Sequence, residues 1–515
     1  MVRNTLRRRG TVLVSSAAVF SLFGCAGGIV PQATLVVPDD NAAGASITEA
    51  AARGEPGDAS QAQADAAWWK IYGDPQLDQL IERAAQVSPT MALAVARIDR
   101  AQAALGIVSS EDLPSMTANG AALVEHFPDR YTYSSQYAGK GGSSGRLTAD
   151  AYYRLDFWGK RRESEAAARE RVRAAQAEAD DARLLLETAI VDAYVGLDAA
   201  YKVRDIATNA ISRRQGVVDL LRLRAKAGLA TDIDAVQARE SVTETRSEID
   251  RLTGEIGRRR NQIASLMGET PAFGDQIRRP KLALIGDPAP LSTIPATLLG
   301  YRPDIATARA NVEAAAHEIG ASKAAFYPDI DIVAFAGFKS LDLGQLMRPG
   351  SSALGLGPAL TLPIFDNARL RSNLKQRTAE YDAAVLTYNQ AVATALGQVA
   401  NAIVTLRAER AQKREADEAL DHWTHVVSLQ KDRERQGLAS GVDRLATETA
   451  RLLSERRSAE ADARIVLAQT ALIRALGGAW RPSRPSHDSA PQSPVEPIAL
   501  NTPRSTLSKI SPYHE

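Results

Sequence analysis

The amino-acid sequence predicts a mainly α-helical chain that also carries four β-strands. Each of two halves supplies a helix, a pair of strands and a long coiled-coil hairpin, in that order. Three observations carry this prediction. The chain repeats itself, it holds proline-free helical stretches far longer than a globular helix, and four of its segments alternate apolar with polar or small residues.

The duplication is read from punctuating residues. Pro89 recurs as Pro303 and Pro114 as Pro328, each 214 positions on (303 − 89, 328 − 114). Gly228 recurs as Gly437 and Gly268 as Gly477, 209 positions on (437 − 228, 477 − 268). Five residues are therefore lost between Pro328 and Gly437 (214 − 209). A period this long is not a solenoid unit of about 20 to 50 residues. It divides the chain into a first repeat over 67–285 and a second over 286–478, with a segment on either side.

Composition agrees with long packed helices. Only 5% of the 515 residues are aromatic, fewer than large globular cores use. The 62 basic and 61 acidic residues are interspersed and leave a net charge of +1, so no nucleic-acid footprint is expected. Arg3, Arg7, Arg8 and Arg9 precede a short apolar run that ends in Leu22-Phe23-Gly24-Cys25. This reads as a bacterial lipoprotein signal over 1–24, with Cys25 as the lipidated new N-terminus and Ala26 directing the chain to the outer membrane. The plainer alternative is a secretory signal beside a chance cysteine. Cys25 is the only cysteine, so no internal disulfide can form. Residues 25–66 read as a mobile tether, and 479–515, with recurrent Pro and Ser, as a disordered tail.

Ordered structure is expected to begin near Trp68-Trp69. Asp74-Pro75 is a helix start, a capping carboxylate followed by Pro at the first helical position. A second helix runs from Pro89 to Gly106 or a little beyond, and Pro114 ends it. The hairpins are placed at 159–267 and 366–477. Gly159 to Lys226 contains no proline and spans roughly 100 Å at the α-helical rise. A heptad seam is visible in each half. Val385, Tyr388, Val392, Ala395, Val399, Ala402 and Leu406 form one; Val242, Ile249, Leu252, Ile256, Ile263 and Leu266 form the other. Strands are expected at about 117–125, 146–156, 330–338 and 353–363, joined by Gly/Ser-rich polar loops at about 126–146 and 339–352. Four strands cannot close a barrel, and lipid does not tolerate open edges. Either these strands are soluble, or several chains share one barrel, and three chains would supply twelve strands and twelve long helical rods.

Several motifs resemble those of the TolC-like outer-membrane factors, in the lipoprotein branch of the NodT and OprM type. They are Trp68-Trp69 with Gly73-Asp74-Pro75, Tyr301-Arg302-Pro303-Asp304-Ile305 through Ile319-Gly320 to Ala325-Phe326-Tyr327-Pro328, Leu362-Pro363-Ile364-Phe365-Asp366, and the hairpin tips Gly228-Leu229 and Gly437-Leu438. The resemblance covers about 66–478. It implies a homotrimer in the outer membrane of a Gram-negative bacterium, with a shared twelve-stranded β-barrel continued by an α-helical barrel into the periplasm. It further implies a periplasmic adaptor (membrane fusion protein) and an inner-membrane RND-type transporter as partners, and a passive exit duct for drugs or other small molecules. A duct for protein secretion and a lipid-anchored coiled-coil scaffold are the alternatives. A periplasmic adaptor itself would have one hairpin flanked by a split lipoyl-like domain, where this chain has two hairpins.

Candidate functional residues follow from the same resemblance. Asp234 and Asp443, with Asp232 beside them, stand where the family places aperture carboxylates. Gly228, Leu229, Gly437 and Leu438 stand where the adaptor docks. Thr231-x-x-Asp234 and Ser440-x-x-Asp443 also have capping-box spacing, so a purely structural role competes with an aperture role. Ala439 and Ala446 occupy places where some relatives carry a basic residue and a second acid, which argues against a salt-bridge lock. No phosphate loop or nucleophile elbow is present, and neither an enzyme activity nor a cofactor is expected. Glu418, His422 and His425 share a helix face, but they read as a solvated surface rather than a metal site.

Overall fold

A computed structural model of the chain describes residues 29–35, 67–229, 231–283 and 302–478. Its elements run α1 (Pro75–Val87), α2 (Pro89–Ser110), β1 (Ser115–His126), β2 (Gly141–Leu155), α3 (Lys160–Lys226), α4 (Asp232–Leu266), α5 (Pro303–Ala324), β3 (Asp329–Ser340), β4 (Ser352–Thr361), α6 (Asn367–Arg435) and α7 (Gly441–Ala475). Cys25, the signal segment and the C-terminal tail lie outside the described residues.

The second half mirrors the first. Helices α2 and α5 have 22 residues each, α4 and α7 have 35 each, and the outgoing helices α3 and α6 have 67 and 69. The first half is longer because β2 and the loop before it exceed their counterparts, which the longer α6 only partly offsets. A return helix of 35 residues covers only about half the length of its outgoing partner. The remainder is covered by stacking a second helix on its end: α4 and α2 lie along α3, and α7 and α5 lie along α6.

The two stacking joints are equivalent in position and different in chemistry. In the first, Ser88 Oγ donates to the carbonyl of Leu266 at 3.1 Å, and Gly268, at φ +74°, abuts Pro89 where a Cβ would collide. In the second, Arg302 Nη1 donates to the carbonyl of Ala475 at 2.7 Å, and Gly477, at φ +82°, abuts Arg302. Each joint satisfies a carbonyl that the helix end leaves unpaired. Ser88 and Arg302 differ by 214 (302 − 88), and Leu266 and Ala475 by 209 (475 − 266), the same two offsets found among the punctuating residues.

Two apolar cores hold these rods together. Trp68, Trp69 and Tyr72, on a short 3-10 turn, pack with Leu77, Ile81, Tyr194, Ile263 and Met267. Asp74 is buried beside them and accepts hydrogen bonds from Gln76 N–H (3.0 Å), Tyr194 OH (2.7 Å) and Lys281 N–H (2.7 Å). The Trp-Trp and Gly-Asp-Pro motifs thus anchor the 3-10 turn at Trp68–Tyr72 and the start of α1. Burial pushes the Tyr72 hydroxyl up to about 12, and that hydroxyl lies 3.0 Å from Thr470 Oγ1 on α7, joining the two halves. The second core joins Val392, Ala395, Val399, Ile403 and Leu406 of α6 to Ile305 of α5 and to Leu472 and Ala475 of α7. One described helix, α6, holds a stretch apolar enough by composition to cross a membrane, and its seam residues are buried against α5 and α7.

The strands form one antiparallel sheet in the order β1-β2-β3-β4. The register pairs Leu147 with Phe338, Ala151 with Ala334 and Tyr153 with Ile332, then Ala334 with Leu356 and Ile330 with Leu360. These apolar positions therefore share one face, while Leu123, Val333 and Phe335 fall on the other. The opposite face carries Asn119, Arg146, Thr148, Asp150, Arg154 and Asp331. There Asn119 Nδ2 and Thr148 Oγ1 donate to Asp150 at 2.6 and 3.0 Å, and Arg154 pairs with Asp331 at 3.2 Å. β2 starts at Gly141, so six residues expected in the first loop belong to the strand. Within the expected tether, the backbone N–H groups of Gln32 and Ala33 both donate to Asp382 on α6 at 2.9 Å, and Asn389 Nδ2 donates to the carbonyl of Thr34.

Candidate functional site at the hairpin tips

Each hairpin turns through a glycine. Gly228 and Gly437 have φ of +72° and +75°, a left-handed conformation that side chains resist. At the first tip Gly228 N–H bonds the carbonyl of Ala225 at 3.0 Å and Leu229 N–H bonds that of Arg224 at 2.8 Å. At the second, Gly437 N–H reaches Glu434 at 3.0 Å and Leu438 N–H reaches Arg433 at 2.8 Å. This paired pattern is the Schellman motif. The apolar residue after each glycine is turned outward: Leu229 is 72% and Leu438 65% exposed.

The incoming helices begin on capping boxes. Asp234 accepts from the backbone N–H and the hydroxyl of Thr231, at 3.1 and 2.8 Å. Asp443 accepts from the backbone N–H and hydroxyl of Ser440, at 3.0 and 2.7 Å. These bonds hold both carboxyls below the usual carboxylate range, and the nearby guanidinium charges of Arg224 and Arg433 lower Asp443 further. Both aspartates are solvent-exposed, as is Asp232 at the first position of α4. The tips therefore present fixed negative charge together with exposed leucines.

Packing of α3 on α7 brings the two tips together. A Cβ at Gly441 would meet Leu220 of α3, so the start of α7 sits directly on the outgoing helix of the other hairpin. A groove of about 320 Å³ runs between the hairpins, lined by Val217, Ala238, Ser241, Val442, Leu445 and Ala446 among others. Sequence reasoning missed the charged cluster that braces it. Glu448 is buried and pairs with Arg213 of the first hairpin at 3.0 Å and Arg444 of the second at 2.8 Å; Arg444 also reaches Glu434 at 2.7 Å. The i, i+4 spacing of Arg444 and Glu448 was the only local signal. The partner from the other hairpin could not be read from sequence.

Other singled-out residues lie elsewhere. Arg302-Pro303-Asp304 sits at the far end of α7 from its tip. Arg302 is buried there and binds Asp304 (2.7 Å), Gln398 (2.8 Å) and the Ala475 carbonyl, so the motif closes a joint. Glu418 and His422 are 3.9 Å apart and both exposed, and no three potential metal ligands cluster among the described residues. Trp158 stacks on Tyr327 at 4.7 Å and donates to the carbonyl of Pro328, fastening the strand–helix junction.

Known proteins share this architecture. A family model described as outer membrane efflux protein matches residues 80–269 and 294–478. The fusaric acid resistance protein FusA of Burkholderia cepacia is 36% identical over 375 residues, which cover 71% of this chain and 69% of that protein. The multidrug resistance outer membrane protein MdtP of Escherichia coli is 29% identical over 445 residues, covering 82% and 88%. Among solved structures, the outer membrane protein VceC of Vibrio cholerae superposes with a TM-score of 0.74 at 32% identity, over 81% of this chain and 100% of that one. By its duplicated hairpins, its single sheet and a family match spanning both halves, this chain belongs to the outer membrane efflux protein family.

Proposed function

We propose that this chain is one third of a homotrimeric exit duct, which passively carries small organic molecules out through the outer membrane. One observation carries the reading. The four-stranded sheet has one apolar face and one that gathers its charged side chains, ends in two unpaired edges at β1 and β4, and runs directly into helices of about 100 Å. A sheet of that kind is stable in lipid only when its edges close on other copies. Three copies close twelve strands around a polar lumen, and the helical rods continue that lumen into the periplasm. The names of FusA and MdtP, which concern fusaric acid and multidrug resistance, support small organic cargo.

In this reading the exposed turns at Gly228-Leu229 and Gly437-Leu438, with the groove between them, receive a periplasmic adaptor that couples the duct to an inner-membrane RND-type transporter. Asp232, Asp234 and Asp443 ring the periplasmic aperture. Lipidated Cys25 holds the N-terminus at the inner leaflet of the outer membrane. The test is negative-stain electron microscopy of the detergent-extracted, full-length protein. Threefold tubes with one detergent-ringed end are expected. Monomers without a detergent belt would overturn the duct and leave a lipid-anchored scaffold.

A further inference from the structure

The loop between β1 and β2 is a built aromatic structure. Phe127 lies two residues beyond Glu125, so it continues the polar face of the sheet. It is only 1% exposed, and its ring sits over Gly142, where a Cβ on that same face would collide with it. Tyr133 packs on the ring at 5.0 Å between centroids and Tyr137 at 6.0 Å. The Tyr131 ring lies tilted against Tyr133 at 5.2 Å between centroids and remains 65% exposed. The loop's base is tied by Phe127 N–H to the carbonyl of Lys140 (3.0 Å) and by Gly139 N–H to the carbonyl of Phe127 (2.9 Å). Gly139 is left-handed at φ +71°, against the carboxylate of Asp129. A loop tied in this way holds its aromatic rings in one place.

The corresponding β3–β4 loop lies on the other side of the sheet. Leu343 and Leu346 pack over Gly145, which shares the apolar face with Leu147, and Leu343 N–H donates to Ser143 Oγ at 3.2 Å. One loop of each chain thus leans over the polar face while the other folds back over the lipid face. We infer that the loops carrying Phe127, Tyr131, Tyr133 and Tyr137 form an aromatic collar over the outer mouth of the lumen and set the size of solute that can pass. The inference rests on the trimeric duct proposed above. Three copies would place three Tyr131 rings at the rim, each an aromatic face able to hold an organic cation on its way out.

The test uses the full-length protein in intact cells. A cysteine is introduced by Ala121→Cys, on the polar face opposite Arg146. Cells are then treated with maleimides of increasing size that do not cross the outer membrane. In the parent background the smaller reagents label this position and the larger ones are excluded. Adding Tyr131→Ala or Phe127→Ala shifts the cut-off to larger reagents. Tyr131 is exposed, so its loss leaves the loop folded even if Phe127→Ala loosens it. An identical cut-off in all three proteins would overturn the collar and leave the duct standing. If no protein is labelled until the membrane is opened, the polar face is not an outward-facing lumen, and both collar and duct fail together.

Discussion

At Asp234 and Asp443 one carboxylate serves a helix start and charges a tip. Hydrogen bonds from Thr231 and Ser440 lower both carboxyls below their ordinary value of 3.8. A depressed folded value means the cap's contribution is present above the unfolded value and is lost as pH falls through the folded one. Asp443→Asn keeps a capping side chain without its charge, and Asp443→Ala loses both. If Asp443 faces the aperture, both variants lower the cation preference of the trimer in planar bilayers, and the parent loses that preference only below about pH 4. Unchanged preference in both, with thermal destabilisation confined to the alanine variant, would leave a cap and nothing more. Cys25 has a separate test. Radioactive palmitate should label the wild type and not Cys25→Ser, because the lipid would be attached through the thiol that serine lacks; several acyl chains there would give a stable anchor at about 0.8 kcal/mol per buried methylene. Equal label in the two would remove the anchor.

At the scale of elements, the two stacking joints make a matched pair. Ser88 closes the first joint with one neutral hydrogen bond to Leu266. Arg302 closes the second with a buried guanidinium shared among Ala475, Asp304 and Gln398. Breaking the buried charge network with Arg302→Ala should cost about 3 kcal/mol. Ser88→Ala should cost about 1 kcal/mol. Unfolding in detergent, followed by circular dichroism, measures both, and equal losses would show that position in the joint matters more than its chemistry. The heptad seams were legible because an apolar residue every three or four positions is a local signal. Val385, Val392, Ala395 and Val399 all became buried seam residues. The joints were not legible as joints, because nothing local says that a serine and an arginine hold equivalent places. The first loop is polar and glycine-rich in sequence, yet Phe127 and its tyrosines form a core of their own there.

For the whole molecule, the unsatisfied features of the single chain have a common direction. β1 is exposed along almost its whole length, and β4 offers the other free edge. Val124, Leu354, Leu356 and Leu360 present an apolar face to the surroundings. In the duct proposed above, lipid would cover the apolar face and neighbouring copies would cover the edges. Aromatic residues Phe157, Trp158 and Tyr327 mark the strand–helix junction, where a membrane interface would be expected. The length of the rods then predicts a tube that reaches roughly 100 Å beyond the membrane, which electron microscopy would reveal directly.

The sequence by itself determined the duplication, the long coiled helices, the four alternating strands and the glycine turns, because periodicity, proline placement and capping chemistry act over a few residues. Tertiary structure decided what those elements meet. It set Glu448 between arginines of two hairpins, gave Arg302 a carbonyl 173 residues away, and put Phe127 over the polar face while Leu346 crossed to the apolar one. Such contacts depend on which helix lies beside which, and local periodicity says only that a face must be covered, not by what.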